Sequence, residues 1–204
     1  MFVQVIQGRV RDTTAARVTL DRWLVDLEPG AVGWLGGTFG FTDNDTLVGV
    51  VRFESQAAAK ANGQRPEQAA WWEEMNEHFA GPVTFHDCDD VNLLVGGGSD
   101  DAGFVQVIQG KVSDVHRAHE LIERSGELIA LHRPDVLGAT IAIDDQGYLT
   151  ETVFFSSETE ARIAEKTQMP TELQALADEE MALIENAQFL DLHSPWFATA
   201  NKRK

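Results

Sequence analysis

Trp71 and His78 lie seven residues apart in the stretch Pro66 to Phe79, whose spacing is that of a helix. Seven residues make two helical turns, so the indole and the imidazole share one face. An indole can pack a flat apolar molecule, and an imidazole can move a proton near neutral pH. The pair could therefore line an aromatic-substrate pocket as its catalytic residues. A partly exposed indole and a surface imidazole on a solvated helix fit the same spacing, and the sequence leaves both readings open. Gln7 and Gln109 could hydrogen-bond a ligand or sit as polar side chains of a sheet. Arg52 could aim an anion-binding charge into a pocket or serve as a surface strand residue. Trp72, beside Trp71, marks a core position and could add aromatic surface to bound substrate.

Other groupings suggest less chemistry. His116 and His119 stand at i and i+3 with no evident third ligand, which suits a solvated helix face better than a metal site. His86 and Cys88 share a strand face, but one His and one Cys make neither a zinc site nor an activated thiol. Gly33, Gly36, Gly37 and Gly40 run along a strand rather than from a strand into a helix, so they form no phosphate loop. No metal is expected.

The elements that must position these residues occur twice. Phe2-Val3-Gln4-Val5-Ile6-Gln7-Gly8-Arg9-Val10-Arg11-Asp12 returns as Phe104-Val105-Gln106-Val107-Ile108-Gln109-Gly110-Lys111-Val112-Ser113-Asp114, a shift of 104 − 2 = 102 residues, half of a 204-residue chain. The chain is a tandem duplication. Within each copy a Val/Ile/Phe-rich strand precedes a helix, capped by Asp12 or Thr13 in the first copy and by Asp114 in the second. Two strands follow around a polar turn, then short helices starting after Ser55 and at Pro66, and a last strand near Val83–Asp87. The order βαββαβ predicts an α+β protein of two ferredoxin-like units, each with a four-stranded antiparallel sheet covered by helices on one face. The uncovered faces call for a partner, so the two sheets are expected to pack together as a pseudo-dimer within one chain. Expected boundaries are 1–95 for repeat 1, 96–103 for a Gly/Ser linker, 104–194 for repeat 2 and 195–204 for a C-terminal tail.

Comparing the copies separates what the fold needs from what it does not. Later helices align at a shift of 104, because Pro170 answers Pro66. Ala69, Trp72 and Phe79 then meet Leu173, Leu176 and Leu183, whereas Trp71 meets Ala175 and His78 meets Ala182. Function is to be sought where the copies disagree.

Composition bounds the partners. Lys and Arg total 16 against 33 Asp and Glu, a net charge of −17 that repels phosphate backbones and anionic membranes. Lys202-Arg203-Lys204 reads as a short solvated tail. Cys88 stands alone, and no apolar run is long enough to span a bilayer, so a cytoplasmic location is expected.

Val5-Ile6-Gln7-Gly8-Arg9-Val10, Phe53-Glu54-Ser55 and Pro66-Glu67-Gln68-Ala69-Ala70-Trp71-Trp72 resemble the dimeric α+β barrel superfamily, and within it the antibiotic-biosynthesis-monooxygenase-like domains. The resemblance covers nearly the whole chain through both halves. It implies a pocket between sheet and helices, fed by polar residues of the first strand and aromatic or His residues of the later helix. It also implies a cofactor-independent monooxygenase acting on a small hydrophobic or aromatic molecule in repeat 1, by proton abstraction and reaction of the carbanion with oxygen. Superfamily members without activity make a non-catalytic small-molecule-binding protein the alternative. Haem binding or degradation is third. Haem-degrading relatives carry a polar residue at the Gln7 position, but they separate Trp from the ligand His more widely than Trp71 from His78. Monomer and homodimer are both compatible with the pseudo-dimer.

Overall fold

The β-branched first strand of each copy becomes the second strand from an edge of an antiparallel sheet. In this computed structural model residues 1–200 are described, and the basic end Lys202-Arg203-Lys204 lies outside them. The first half runs β1 (Phe2–Arg9), α1 (Thr13–Asp26), β2 (Trp34–Phe41), β3 (Thr46–Phe53), α2 (Gln56–Gly63), α3 (Pro66–Glu77) and β4 (Thr84–Cys88), followed by β5 (Asp90–Leu94). The second runs β6 (Phe104–Val112), α4 (Val115–His132), β7 (Val136–Ile143), β8 (Tyr148–Phe155), α5 (Glu158–Lys166), α6 (Thr171–Leu183) and β9 (Ile184–Leu192), followed by β10 (Trp196–Thr199).

Local chemistry explains the element starts. Asp12 and Asp114 each accept a hydrogen bond from the backbone N–H three residues on, at Ala15 and Arg117 (both 3.0 Å), and Ser55 and Ser157 do the same for α2 and α5 (3.2 Å). Each such cap is worth about 1 kcal/mol. The β2–β3 and β7–β8 turns both need one left-handed residue, supplied by Asp45 (φ 62°) and Gly147 (φ 77°).

The βαββαβ order is met in both copies, and each sheet carries a fifth strand. Strand orders are β10-β2-β3-β1-β4 and β5-β7-β8-β6-β9. Residues 90–94, expected to finish repeat 1, pair instead with β7, and residues 196–199, expected in a tail, pair with β2. The chain therefore divides into compact units of Met1–Asp89 with residues 196–200, and of Asp90–Pro195. The physical reason is an open edge on β2 and on β7, whose unpaired N–H and C=O groups take up whichever strand reaches them. Gly97 of the expected linker is buried in the second unit, while Gly96 is exposed. A Cβ on Gly138 of β7 would stand 1.6 Å from the Gly97 carbonyl oxygen, and one on Gly98 would stand 2.9 Å from the Phe154 ring.

Residues opposite one another across an antiparallel ladder share a sheet face. Ile6, Gly49 and Phe39 are therefore on one face in the first unit, and Ile108, Glu151 and Ile141 in the second. These are the faces that meet the helices, through clusters that join Trp23, Trp34 and Phe53 in the first unit and Ile122, Ile141 and Ile143 in the second. Among the described residues no helix is long and apolar enough to cross a membrane.

Candidate functional site

In the first unit the space between sheet and helices is almost filled. Trp23 stands edge-on to Trp34 (5.2 Å between centroids) and to Trp71 (6.4 Å). Both polar indole edges are engaged, since Trp23 Nε1 donates to Gln68 Oε1 (2.7 Å) and Trp71 Nε1 donates to the Thr19 carbonyl (3.0 Å). The cavity that remains measures about 80 Å³. A dry cavity of about 150 Å³ is what holds a benzene ring, so this cavity is too small for an aromatic substrate, while a more polar groove of about 460 Å³ lies beside it between Gln4, Lys60, Gln68 and Asp87.

Of the residues expected to build a site here, Trp71 alone lines that cavity. His78 caps the end of α3, and its Nε2 lies 2.9 Å from Thr19 Oγ1. Trp71 and His78 thus grip the same residue of α1 and hold two helices together. Trp72 turns the other way, against Phe79 and Phe85. Gln7 and Arg52 are on the face opposite the helices, because Gln7 pairs with Val48 and Arg52 with Val3. The first-strand glutamine that does reach the cavity is Gln4, whose Nε2 donates to Asp87 Oδ1 (2.8 Å). Its counterpart Gln106 makes the same bond to Asp191 (2.8 Å). Gln109 is buried on the far face of the second sheet, donating to Thr150 Oγ1 (3.2 Å).

The second unit opens the equivalent space. At the 102 shift Trp23 becomes Ser125 and Trp34 becomes Val136, and at the 104 shift Trp71 becomes Ala175. Losing three indoles leaves a cavity of about 200 Å³, lined by Ile108, Ile129, Val153, Phe155, Leu173 and Leu176 among others. Three carboxyl groups line this largely apolar space, and one of them, Glu165 of α5, accepts a hydrogen bond from Arg162 Nη1 (2.8 Å). Glu151 takes the place of Gly49, with Ile108 and Ile141 as cross-strand neighbours, and Glu180 comes from α6 in the place of Asn76. Burial holds the Glu151 carboxyl well above the usual carboxylate range, and the nearby Glu180 charge pushes it further. Burial also raises Glu180, which is only partly enclosed. Glu151, the more deeply buried of the two, is held more strongly toward its neutral form.

Arg133 and Met169 line this cavity and also a wider outer groove of about 540 Å³. Asp135 fixes Arg133 in a two-pronged ion pair, with Nε to Oδ1 at 2.9 Å and Nη2 to Oδ2 at 2.7 Å. Met169 lies in the irregular connection between α5 and α6, where repeat 2 carries two more residues than repeat 1. Neither inner cavity is lined by a histidine, so neither supplies the axial ligand that the haem reading requires.

The two five-stranded antiparallel sheets, their helices and the internal repeat define an α+β protein of two ferredoxin-like units in tandem. No family model and no curated protein matches the chain. Solved structures do. A candidate monooxygenase from Lactobacillus acidophilus NCFM is similar over 98% of this chain and 96% of its own, at TM-score 0.74 and 13% identity. One from Fusobacterium nucleatum is similar over 97% and 94%, at TM-score 0.74 and 10% identity. An anthrone oxidase-like protein is similar over 100% and 94%, at TM-score 0.71 and 10% identity. At these identities the likeness is one of fold.

Proposed function

We propose that the protein is a cofactor-independent monooxygenase-like enzyme that oxidises a small hydrophobic, aromatic molecule in the cavity of repeat 2. The observation that supports this reading is the carboxyl pair Glu151 and Glu180 in an apolar space large enough for an aromatic ring. A carboxylate stripped of water is a stronger base, and a carboxylic acid kept neutral at pH 7 can donate a hydrogen bond.

In this mechanism ionised Glu180 takes an acidic C–H proton from a ring carbon conjugated to a carbonyl. Neutral Glu151 donates a hydrogen bond to the substrate oxygen on which the negative charge settles. The carbanion then passes its electrons to O₂, and a C–O bond forms. The proton returns to the distal oxygen to give a hydroperoxide. Loss of water, with the second C–H proton and the O–O bond, leaves a new carbonyl. One O₂ is consumed and one water released per CH₂ converted to C=O.

The test is oxygen uptake by the purified protein with anthrone, a compound of this class suggested by the name of one structural neighbour. Glu180→Gln should lower the rate ~10²–10⁴-fold, the usual worth of a positioned base. Trp71→Ala, a change in the first unit, which holds neither acid, should leave turnover per folded molecule within about twofold of the parent. Anthrone binding with no oxygen uptake would leave a non-catalytic binding protein instead.

A further inference from the structure

The inner cavity and the outer groove of the second unit are two compartments of different character that meet at Arg133 and Met169. The inner one is lined mainly by apolar side chains, with Gln106, Ser125 and Arg133 beside its carboxyls, and at about 200 Å³ it takes a small fused-ring system up to the size of anthrone. The outer one, about 540 Å³, mixes the polar His132, Thr167 and Gln168 with the apolar Ile163 and Pro170. In repeat 1 the Arg133 position is Ala31 and the Asp135 position is Gly33, so the fold does not need this ion pair. Asp135 is 7% exposed and takes Nε and Nη2 of Arg133, which leaves the Nη1 edge of the guanidinium to a ligand. An arginine already neutralised by a carboxylate suits a neutral carbonyl or hydroxyl oxygen better than a second anion, which the net charge of −17 would also repel.

We infer that the substrate is an extended two-part molecule. A flat apolar ring system occupies the inner cavity, an oxygen-bearing part lies in the outer groove, and Arg133 is the specificity-determining contact at the junction. This rests on the inner cavity being the ligand site of the proposed function. Met169, on the longer α5–α6 connection, forms the doorway that the ring must pass.

The experiment is equilibrium binding followed by ligand fluorescence, so it does not depend on turnover. Two probes are compared on the full chain: naphthalen-2-ol, which fits the inner cavity alone, and 7-hydroxyflavone, which must reach the groove. The parent should bind 7-hydroxyflavone at least tenfold more tightly. Arg133→Met should remove most of that advantage while changing naphthalen-2-ol binding by less than twofold. Because Arg133→Met strips a buried Asp135 of its partner, Ile163→Glu serves as the second variant. Ile163 is 60% exposed, so that substitution should fold normally and weaken 7-hydroxyflavone severalfold. Equal affinity of the parent for both probes, or equal losses for both in the variants, overturns the two-part substrate but leaves the inner site standing. Failure of the parent to bind either probe overturns both.

Discussion

Glu151 illustrates how one side chain carries a functional signal that its neighbours in sequence conceal. It sits in Tyr148-Leu149-Thr150-Glu151-Thr152-Val153-Phe154-Phe155 at a position of core-facing parity, and it ends up buried among Ile108, Ile141 and the helices. A carboxyl raised by burial makes stability pH-dependent, and the sign follows from proton counting. Unfolded, a Glu titrates near pH ~4.3; folded, Glu151 holds its proton to higher pH. Between those values the native state binds more protons, so stability falls as pH rises through the folded pKa and is fully present only below the unfolded one. Glu151→Gln removes the charge without changing shape. Urea titrations should show parent and variant alike near pH 4, with the variant more stable at pH 8 by roughly 1–3 kcal/mol, the range for a buried polar group without full compensation. A variant less stable at pH 8 would mean that the carboxylate is well solvated there. Trp71 and His78 teach the converse. Their shared helical face was legible, but not that both would hydrogen-bond Thr19 of α1.

At the level of elements, the repeat sets the helices and strands, while small departures decide which copy is hollow. Bulges occur at the same place in both, between Trp34 and Gly36 and between Val136 and Gly138. Their surroundings differ. Gly138 lies under the Gly97 carbonyl, a backbone group that cannot swing aside. Gly138→Ala should therefore cost about 3 kcal/mol, the upper end for overpacking, and thermal unfolding would measure it. A negligible change would show that the 96–98 turn is loosely held. The hairpins, caps and helix starts were readable because each depends on local residues: Asp12, Ser55, Pro66 and their counterparts act within a few positions of themselves. Strands β5 and β10 were not, because their partners β7 and β2 are distant in sequence and only a free sheet edge recruits them.

For the whole molecule the excess of acid dominates. A net charge of −17 on a chain of this size is self-repulsive in the folded state and less so in the extended one. Salt screens charges beyond the Debye length, about 8 Å at physiological ionic strength. Raising sodium chloride from 10 mM to 150 mM should increase the melting temperature by a few degrees, a shift that corresponds to about 1 kcal/mol for domains of this size. A fall in melting temperature would show that local ion pairs such as Arg117–Glu179 outweigh the repulsion.

The duplication, the βαββαβ order of each half and the resemblance to the monooxygenase-like fold can all be read along the chain, because periodicity, caps and turns are local and occur twice. The sequence also exposed the rule that function lies where the copies differ. Which difference matters depends on packing between elements far apart along the chain. Parity put Gln7 and Arg52 on the wrong face for a helix-side pocket, and three indoles from separate elements closed repeat 1. Their replacement by Ser125, Val136 and Ala175 left repeat 2 a cavity in which Glu151 and Glu180 meet. A cavity is a residue of packing between elements remote along the chain, so no local pattern records it.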